Sequence, residues 1–373
     1  MTHVFNPSIL REYDIRGIVG DTLGEPDAYG LGRTFAALAR DRGAKRIAVG
    51  RDGRSHSPML EEALVRGLTE GGIDVVRIGE GPSPMLYFAT YHLDTDGGIQ
   101  ITGSHNPADY NGFKMLLGGN SVFGAAIQDI GGRSAEGRWC EGKGSIEDVD
   151  VAPAYVDRLV EDFEGGTFRI GWDAGNGAAG PVLDELVKRL PGEHLTIFTD
   201  SDGSFPNHHP DPTVEANLAD LKTLVVDHDL DFGIAFDGDG DRIGAVDGLG
   251  RVIWGDQLLI ILARPVLEAQ PGATIIADVK ASQILFDAIA AMGGTPVMWK
   301  TGHSLIKSKM KETGAPLAGE MSGHIFFKHR WYGFDDALYA AVRLIEAVAA
   351  SGKSLTQLMD DMPKSFATPE MRF

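Results

Sequence analysis

Ile47-Ala48-Val49-Gly50, a polar turn from Arg51 to Ser57, a helix with Leu60, Ala63, Leu64 and Leu68 on one face, and Asp74-Val75-Val76-Arg77-Ile78 make one unit of strand, turn, helix and strand. Pro58 suits the first helical position after Ser57, and Gly71-Gly72 suit the far end. The unit recurs twice. Its second copy is Phe168-Arg169-Ile170-Gly171-Trp172, the turn Asp173 to Gly180, a helix opened by Pro181 with Leu183, Leu186, Val187 and Leu190, and Leu195-Thr196-Ile197-Phe198. Its third is Thr274-Ile275-Ile276-Ala277, the turn Asp278-Val279-Lys280, a helix containing Ile284, Leu285, Ile289 and Met292, and Pro296-Val297-Met298-Trp299. Apolar strands alternating with helices at a spacing of roughly 25 residues predict parallel α/β units joined by right-handed crossovers.

Working outward, 373 residues have room for three such domains. The Gly-rich run Gly118 to Gly144 puts one boundary near residue 150, giving a domain over 1–150. The turn Asp247-Gly248-Leu249-Gly250 puts another near 250, giving domains over 151–250 and 251–366. A last helix is expected from Asp335, as its cap, to about Ala350, with Gly352 closing it. The remaining 367–373 read as a linker.

Composition excludes several classes. With 34 Lys plus Arg against 53 Asp plus Glu the formal charge is −19, which argues against nucleic acid or an anionic membrane as partner. One cysteine, Cys140, excludes an internal disulfide and a cysteine-based zinc site. No signal-peptide pattern and no long apolar run occurs, so a cytoplasmic location is expected.

Three loops carry the candidate chemistry. Thr102-Gly103-Ser104-His105-Asn106-Pro107 follows the candidate strand Gly98-Ile99-Gln100-Ile101, so that Ser104 would be exposed at a strand end. The alternative is a polar turn. Lys114, further on, would supply charge or move a proton, or simply be solvated. Asp237-Gly238-Asp239-Gly240-Asp241-Arg242 follows Phe232-Gly233-Ile234-Ala235-Phe236 and offers three carboxylates at alternate positions to one hard cation. An EF-hand fits poorly, since its sixth position holds Arg242 and its twelfth Gly248; few oxygen ligands with room for water or phosphate favour Mg²⁺. Arg242 suits an anionic oxygen. Gly319-Glu320-Met321-Ser322-Gly323-His324 offers carboxylate, hydroxyl and imidazole to the hydroxyls of a sugar, or is a structural turn. Lys280 and Thr301-Gly302-His303 are individually weaker, as a solvated turn residue and a cap. Each loop falls near a strand's C-terminal end, where open α/β sheets bind ligands, implying a cleft between domains.

These three loops, together with Glu12-Tyr13-Asp14-Ile15-Arg16-Gly17, resemble the α-D-phosphohexomutase family, and within it the bacterial phosphomannomutase/phosphoglucomutase group. The resemblance runs along nearly the whole chain. It implies an α/β protein of successive mixed-sheet domains of similar topology around a central cleft. It also implies reversible transfer between hexose 1-phosphate and hexose 6-phosphate, mannose or glucose, through phosphorylated Ser104 and a 1,6-bisphosphate that also serves as activator. In this reading Mg²⁺ is held by Asp237, Asp239, Asp241 and Ser104 or its phosphate. Glu320 and Ser322 meet sugar hydroxyls, and Tyr13, Lys280 and His303 line the substrate site. Arg16, Lys114, Arg242, His105 and His324 form the catalytic lining, one or more moving protons.

Within the resemblance, Met321 looks more like the hexose mutases than the phosphoglucosamine mutases, which are the alternative. The family has a fourth, phosphate-gripping domain; its absence here implies a chain ending at the hinge, 367–373, and impaired turnover. A sugar-phosphate-binding protein and a metal-dependent phosphatase are the rival expectations. A monomer is expected, a dimer remaining open.

Overall fold

In the computed structural model, which describes residues 2–363, three β-sheets follow one another along the chain. The 367–373 hinge expectation lies outside the described residues.

The three sheets share one plan. In the second, Phe168–Asp173 lies between Gly192–Ile197 and Phe232–Phe236, all parallel, and Ile243–Asp247 returns antiparallel beside Phe232–Phe236. In the third, Thr274–Asp278 lies between Thr295–Trp299 and Leu317–Gly319, and Ile325–Phe327 is the antiparallel return. In the first, Arg46–Arg51 lies between Asp74–Glu80 and Gly97–Ile101, and Tyr110–Leu117 returns. The first sheet adds Ile15–Ile18, Ile146–Asp148 and Asn120–Ser121 at its edges, and the second adds Val252–Ile253. The fold is therefore the expected series of mixed-sheet α/β domains.

The repeated units fold in the expected order, although the helices Gly180–Val187 and Gln283–Ala291 end before Leu190 and Met292, which the pattern places on them. Leu60, Ala63, Leu64 and Leu68 are buried on the helix Ser57–Glu70, and the strand Gly97–Ile101 is buried along its whole length. Two local readings are corrected. Ser57 does not cap its helix but begins it, because Asp52 accepts a bond from the Ser57 hydroxyl at 2.6 Å. Asp335 does not cap the helix Ala337–Ser351; Asp336 does, accepting from Tyr339 N at 2.9 Å, while Asp335 accepts from Lys307 Nζ at 2.9 Å.

One apolar core belongs to the first domain alone, joining Phe35, Leu64, Ile99 and Phe113. A larger one runs from the helix Ser83–His92 of the first domain through Trp172 and Phe236 to the helices Gly255–Ala269 and Ala337–Ser351. Burial at this seam fixes the domains against one another, so loops from different sheets meet in register.

Candidate active site

In each sheet the chain reverses between the last parallel strand and its antiparallel return, and the three loops singled out above are those three reversals. Residues 102–109 connect Gly97–Ile101 to Tyr110–Leu117, 237–242 connect Phe232–Phe236 to Ile243–Asp247, and 320–324 connect Leu317–Gly319 to Ile325–Phe327. The plan of the fold thus brings three equivalent loops to one place.

Ser104 is buried and has a left-handed backbone, φ +50°, a conformation costly for a residue with a Cβ. Several groups hold it there. Its N–H donates to Thr102 Oγ1 at 2.8 Å and its carbonyl accepts from Arg54 Nη2 at 2.8 Å. Arg16 donates to Gly103 O and Asn106 Oδ1 at 3.2 and 2.9 Å, and pairs with Asp14. A Cβ on Gly238 would lie 2.4 Å from Ser104 O, so only glycine lets the second loop approach this closely. Ser104 Oγ donates to Asp237 Oδ2 at 3.2 Å and lies 3.2 Å from His105 Nδ1. Burial, and then Arg242, lower the His105 pKa to about 3, leaving a neutral ring beside the hydroxyl.

Asp237, Asp239 and Asp241 are fully buried, and one oxygen from each lies within 4.8 Å of the others. Lys114, on the return strand opposite Gln100, is buried rather than solvated; its Nζ donates to Asp239 Oδ2 at 2.6 Å and Asp241 Oδ2 at 2.5 Å. Burial and the neighbouring carboxylates push Asp237 well above the usual carboxylate range. Against the same burial, Lys114 and His324 hold Asp241 well below it. Asp239 Oδ1 is buried with no hydrogen-bond partner. Three carboxylates, one lysine, a serine hydroxyl and an orphaned carboxylate oxygen fit a divalent cation, because Asp239 Oδ1 is left buried with nothing to compensate it.

The third loop closes on this cluster. His324 Nε2 lies 3.2 Å from Asp241 Oδ1 and Nδ1 3.0 Å from Glu320 Oε2. Burial opposes charge on the ring, but Asp241 and Glu320 outweigh it and raise its pKa to about 10. Arg242 Nε, 3.3 Å from the same Nε2, would need that nitrogen as an acceptor. Two carboxylates against one guanidinium decide for the imidazolium, both nitrogens donating. Ser322 Oγ lies 3.0 Å from His324 Nδ1, and Glu320 also accepts from Gly302 N at 2.5 Å. His303 stacks on His324 with ring centroids 5.7 Å apart, and the edge of Tyr13 meets it at 5.8 Å. Tyr13 donates to Thr301 O at 3.1 Å, joining the first domain to the third. Lys280 stands apart from the buried cluster, exposed at the end of Thr274–Asp278, where its charge acts on Asp278.

Sequence reasoning missed Arg54, Ser83 and Asp335. Arg54 is 1% exposed and donates to the carbonyls of Ser104, Asn106, Pro107 and Tyr110 at 2.5–3.0 Å. Its signal was present in Arg51-Asp52-Gly53-Arg54, a charged turn at the end of a buried strand. Ser83 and Asp335 gave none, reading as ordinary helix-start residues.

A fold of three successive α/β domains with a buried serine, an acidic triad and a polar third loop at their junction defines the class. Models of the phosphoglucomutase/phosphomannomutase α/β/α domains I, II and III match residues 7–138, 153–250 and 254–366. The chain belongs to this family of isomerising phosphotransferases. It is 45% identical to the phosphomannomutase/phosphoglucomutase of Pseudomonas aeruginosa PAO1 over 365 residues, 98% of this chain and 79% of that protein. It is 47% identical to the phosphoglucomutase of Neisseria gonorrhoeae over 366 residues, 97% of this chain and 79% of that protein. A crystal structure of a Burkholderia thailandensis phosphoglucomutase/phosphomannomutase family protein superposes with a TM-score of 0.95 at 46% identity, covering 98% of this chain and 82% of that one. Among the described residues no helix is long and apolar enough to cross a membrane.

Proposed function

We propose that this chain is a phosphohexomutase interconverting hexose 1-phosphate and hexose 6-phosphate, with mannose or glucose as the sugar, through phosphorylated Ser104 and a hexose 1,6-bisphosphate. The observation that carries it is Ser104 Oγ, 3.2 Å from Asp237 at the edge of a buried acidic triad. The 45–47% identity to relatives named for mannose and glucose phosphates supports hexose over glucosamine phosphates. The reading takes the protein to be cytoplasmic and monomeric, with hexose phosphates rather than nucleic acid or membrane as partners.

Phosphorylated Ser104 gives its phosphoryl group to the free hydroxyl of the sugar phosphate. The P–O bond to serine breaks as the P–O bond to the sugar forms, the hydroxyl proton passes to a neighbouring base, and Ser104 Oγ takes up a proton. The bisphosphate then turns over in the cleft and returns its other phosphoryl group to Ser104. The neutral ring of His105, 3.2 Å from Ser104 Oγ, supports it as a hydrogen-bond partner that orients the serine oxygen rather than as a base. Lys114, Arg16 and Arg242 offset phosphate charge in a low-dielectric site, and His324, as an imidazolium, donates rather than accepts a proton. Glu320 and Ser322 meet sugar hydroxyls, with Tyr13, His303 and Lys280 bordering the substrate. Mg²⁺, held by Asp237, Asp239, Asp241 and Ser104, would supply charge neutralisation at the phosphoryl oxygens.

Incubation with glucose 1,6-bisphosphate and Mg²⁺, followed by intact mass and peptide mapping, tests the reading. One phosphoryl group on Ser104, absent in Ser104→Ala and diminished in Asp239→Asn, is expected. Failure of Ser104 to take up phosphate would overturn it. Release of inorganic phosphate from the bisphosphate, without interconversion of sugar phosphates, would favour a phosphatase.

A further inference from the structure

Asp239 is gripped from another domain. Ser83, first residue of the helix Ser83–His92 in the first domain, donates its hydroxyl to Asp239 Oδ2 and its N–H to Asp239 O at 2.8 Å. Ser83 is completely buried, and Asp239 lies in the second domain's reversal loop. Lys114 donates to the same Oδ2 at 2.6 Å. One carboxylate oxygen thus has two donors, while Oδ1, equally buried, has none. A carboxylate free to rotate would share its donors between both oxygens. Fixed at Oδ2 by a hydroxyl and at its own carbonyl by an amide, this one leaves Oδ1 bare.

We infer that Ser83 is a positioning residue for cation binding: its hydroxyl locks the Asp239 carboxylate so that Oδ1 faces the ion. This deepens the metal reading given above and rests on it. The chemistry is that of an outer-shell hydrogen bond, which fixes the orientation of a ligand and whose loss typically weakens metal affinity 10- to 100-fold. Ser83, completely buried, acts through Asp239. The grip also makes cation affinity depend on the seam between domains, since the hydroxyl comes from one domain and the carboxylate from the next.

The test is direct titration of the whole protein with Mn²⁺, following free ion by electron paramagnetic resonance, with no substrate present. Ser83→Ala is expected to bind Mn²⁺ about tenfold or more weakly, and Ser83→Thr, which keeps the hydroxyl, within about twofold of the parent. Asp239→Asn serves as reference. Melting of each variant is recorded without metal. Ser83→Ala with parental Mn²⁺ affinity overturns the inference, whether or not its metal-free melting temperature falls. Ser83→Thr as weak as Ser83→Ala also overturns it. Should Ser83→Ala not fold, Ser83→Cys, of similar volume and with a weaker donor, must show the same loss, and parental affinity there overturns the inference. Parental affinity in Asp239→Asn would sink the metal reading itself, a result distinguishable from a failure confined to Ser83.

Discussion

Arg54 shows how one side chain shapes the nucleophile loop. Its planar fork reaches four backbone carbonyls and pairs with Asp52 at 3.2 Å, and the guanidinium lies 5.0 Å above the Phe205 ring from the next domain. A Cβ on Gly103 would lie 2.4 Å from the guanidinium, so glycine there is the condition for this arrangement. A lysine keeps the charge but replaces the fork with a point and cannot serve four carbonyls at once. The buried Ser104 carbonyl left unpaired costs about 1–3 kcal/mol, and Ser104 would lose the scaffold that sustains its left-handed backbone. Arg54→Lys is therefore expected to lower the melting temperature and to slow uptake of phosphate by Ser104 from glucose 1,6-bisphosphate. Melting curves and time-resolved intact mass check both; unchanged phosphorylation would show that Ser104 holds its conformation without Arg54.

At the scale of elements, what was legible was local. Apolar runs such as Phe232–Phe236 and Thr274–Asp278 announce buried strands by composition, and the acidic loop between glycines announces its chemistry by spacing. The return strands were not legible, because their pairing is set by a sheet and not by nearby residues. Lys114 reads as a solvated residue after a turn until the register places it opposite Gln100, inside the second domain's acidic loop. The same limit hid His208, in the segment between Gly192–Ile197 and Phe232–Phe236. Its Nε2 meets Asp173 Oδ2 at 2.9 Å and its Nδ1 meets His209 O at 3.0 Å, two acceptors for one ring. Burial opposes its charge, but Asp173 outweighs it and raises the pKa. A raised histidine stabilises the fold fully below its unfolded value of about 6.5, and that contribution fades as pH rises through the higher folded value. The melting-temperature gap between the parent and His208→Gln should thus be widest near pH 6 and narrow above it. A gap constant with pH would mean that the ring stays neutral and acts by packing.

Across the whole molecule, charge at the junction is as decisive as the apolar seam. The chain carries a formal charge of −19, and three of its carboxylates are buried at one point where the first and second domains meet. Lys114 crosses to them from the first domain, bonding Asp239 and Asp241 of the second, as His324 does to Asp241 from the third. Removing one partner of such a buried cluster costs about 3–5 kcal/mol, because a buried carboxylate loses the ammonium group that pairs with it. Lys114→Met, close in length and volume, isolates that electrostatic loss from a packing defect. In metal-free buffer it is expected to melt well below the parent. Added Mn²⁺ or Mg²⁺ should then raise its melting temperature more than it raises the parent's, since a ligand stabilises in proportion to its affinity for the folded state, and three carboxylates that have lost the ammonium group bind a cation more tightly than three that share it. Chelation should reverse the gain. Equal metal-induced shifts in the two proteins would show that the ammonium group and the ion do not compete for the same field.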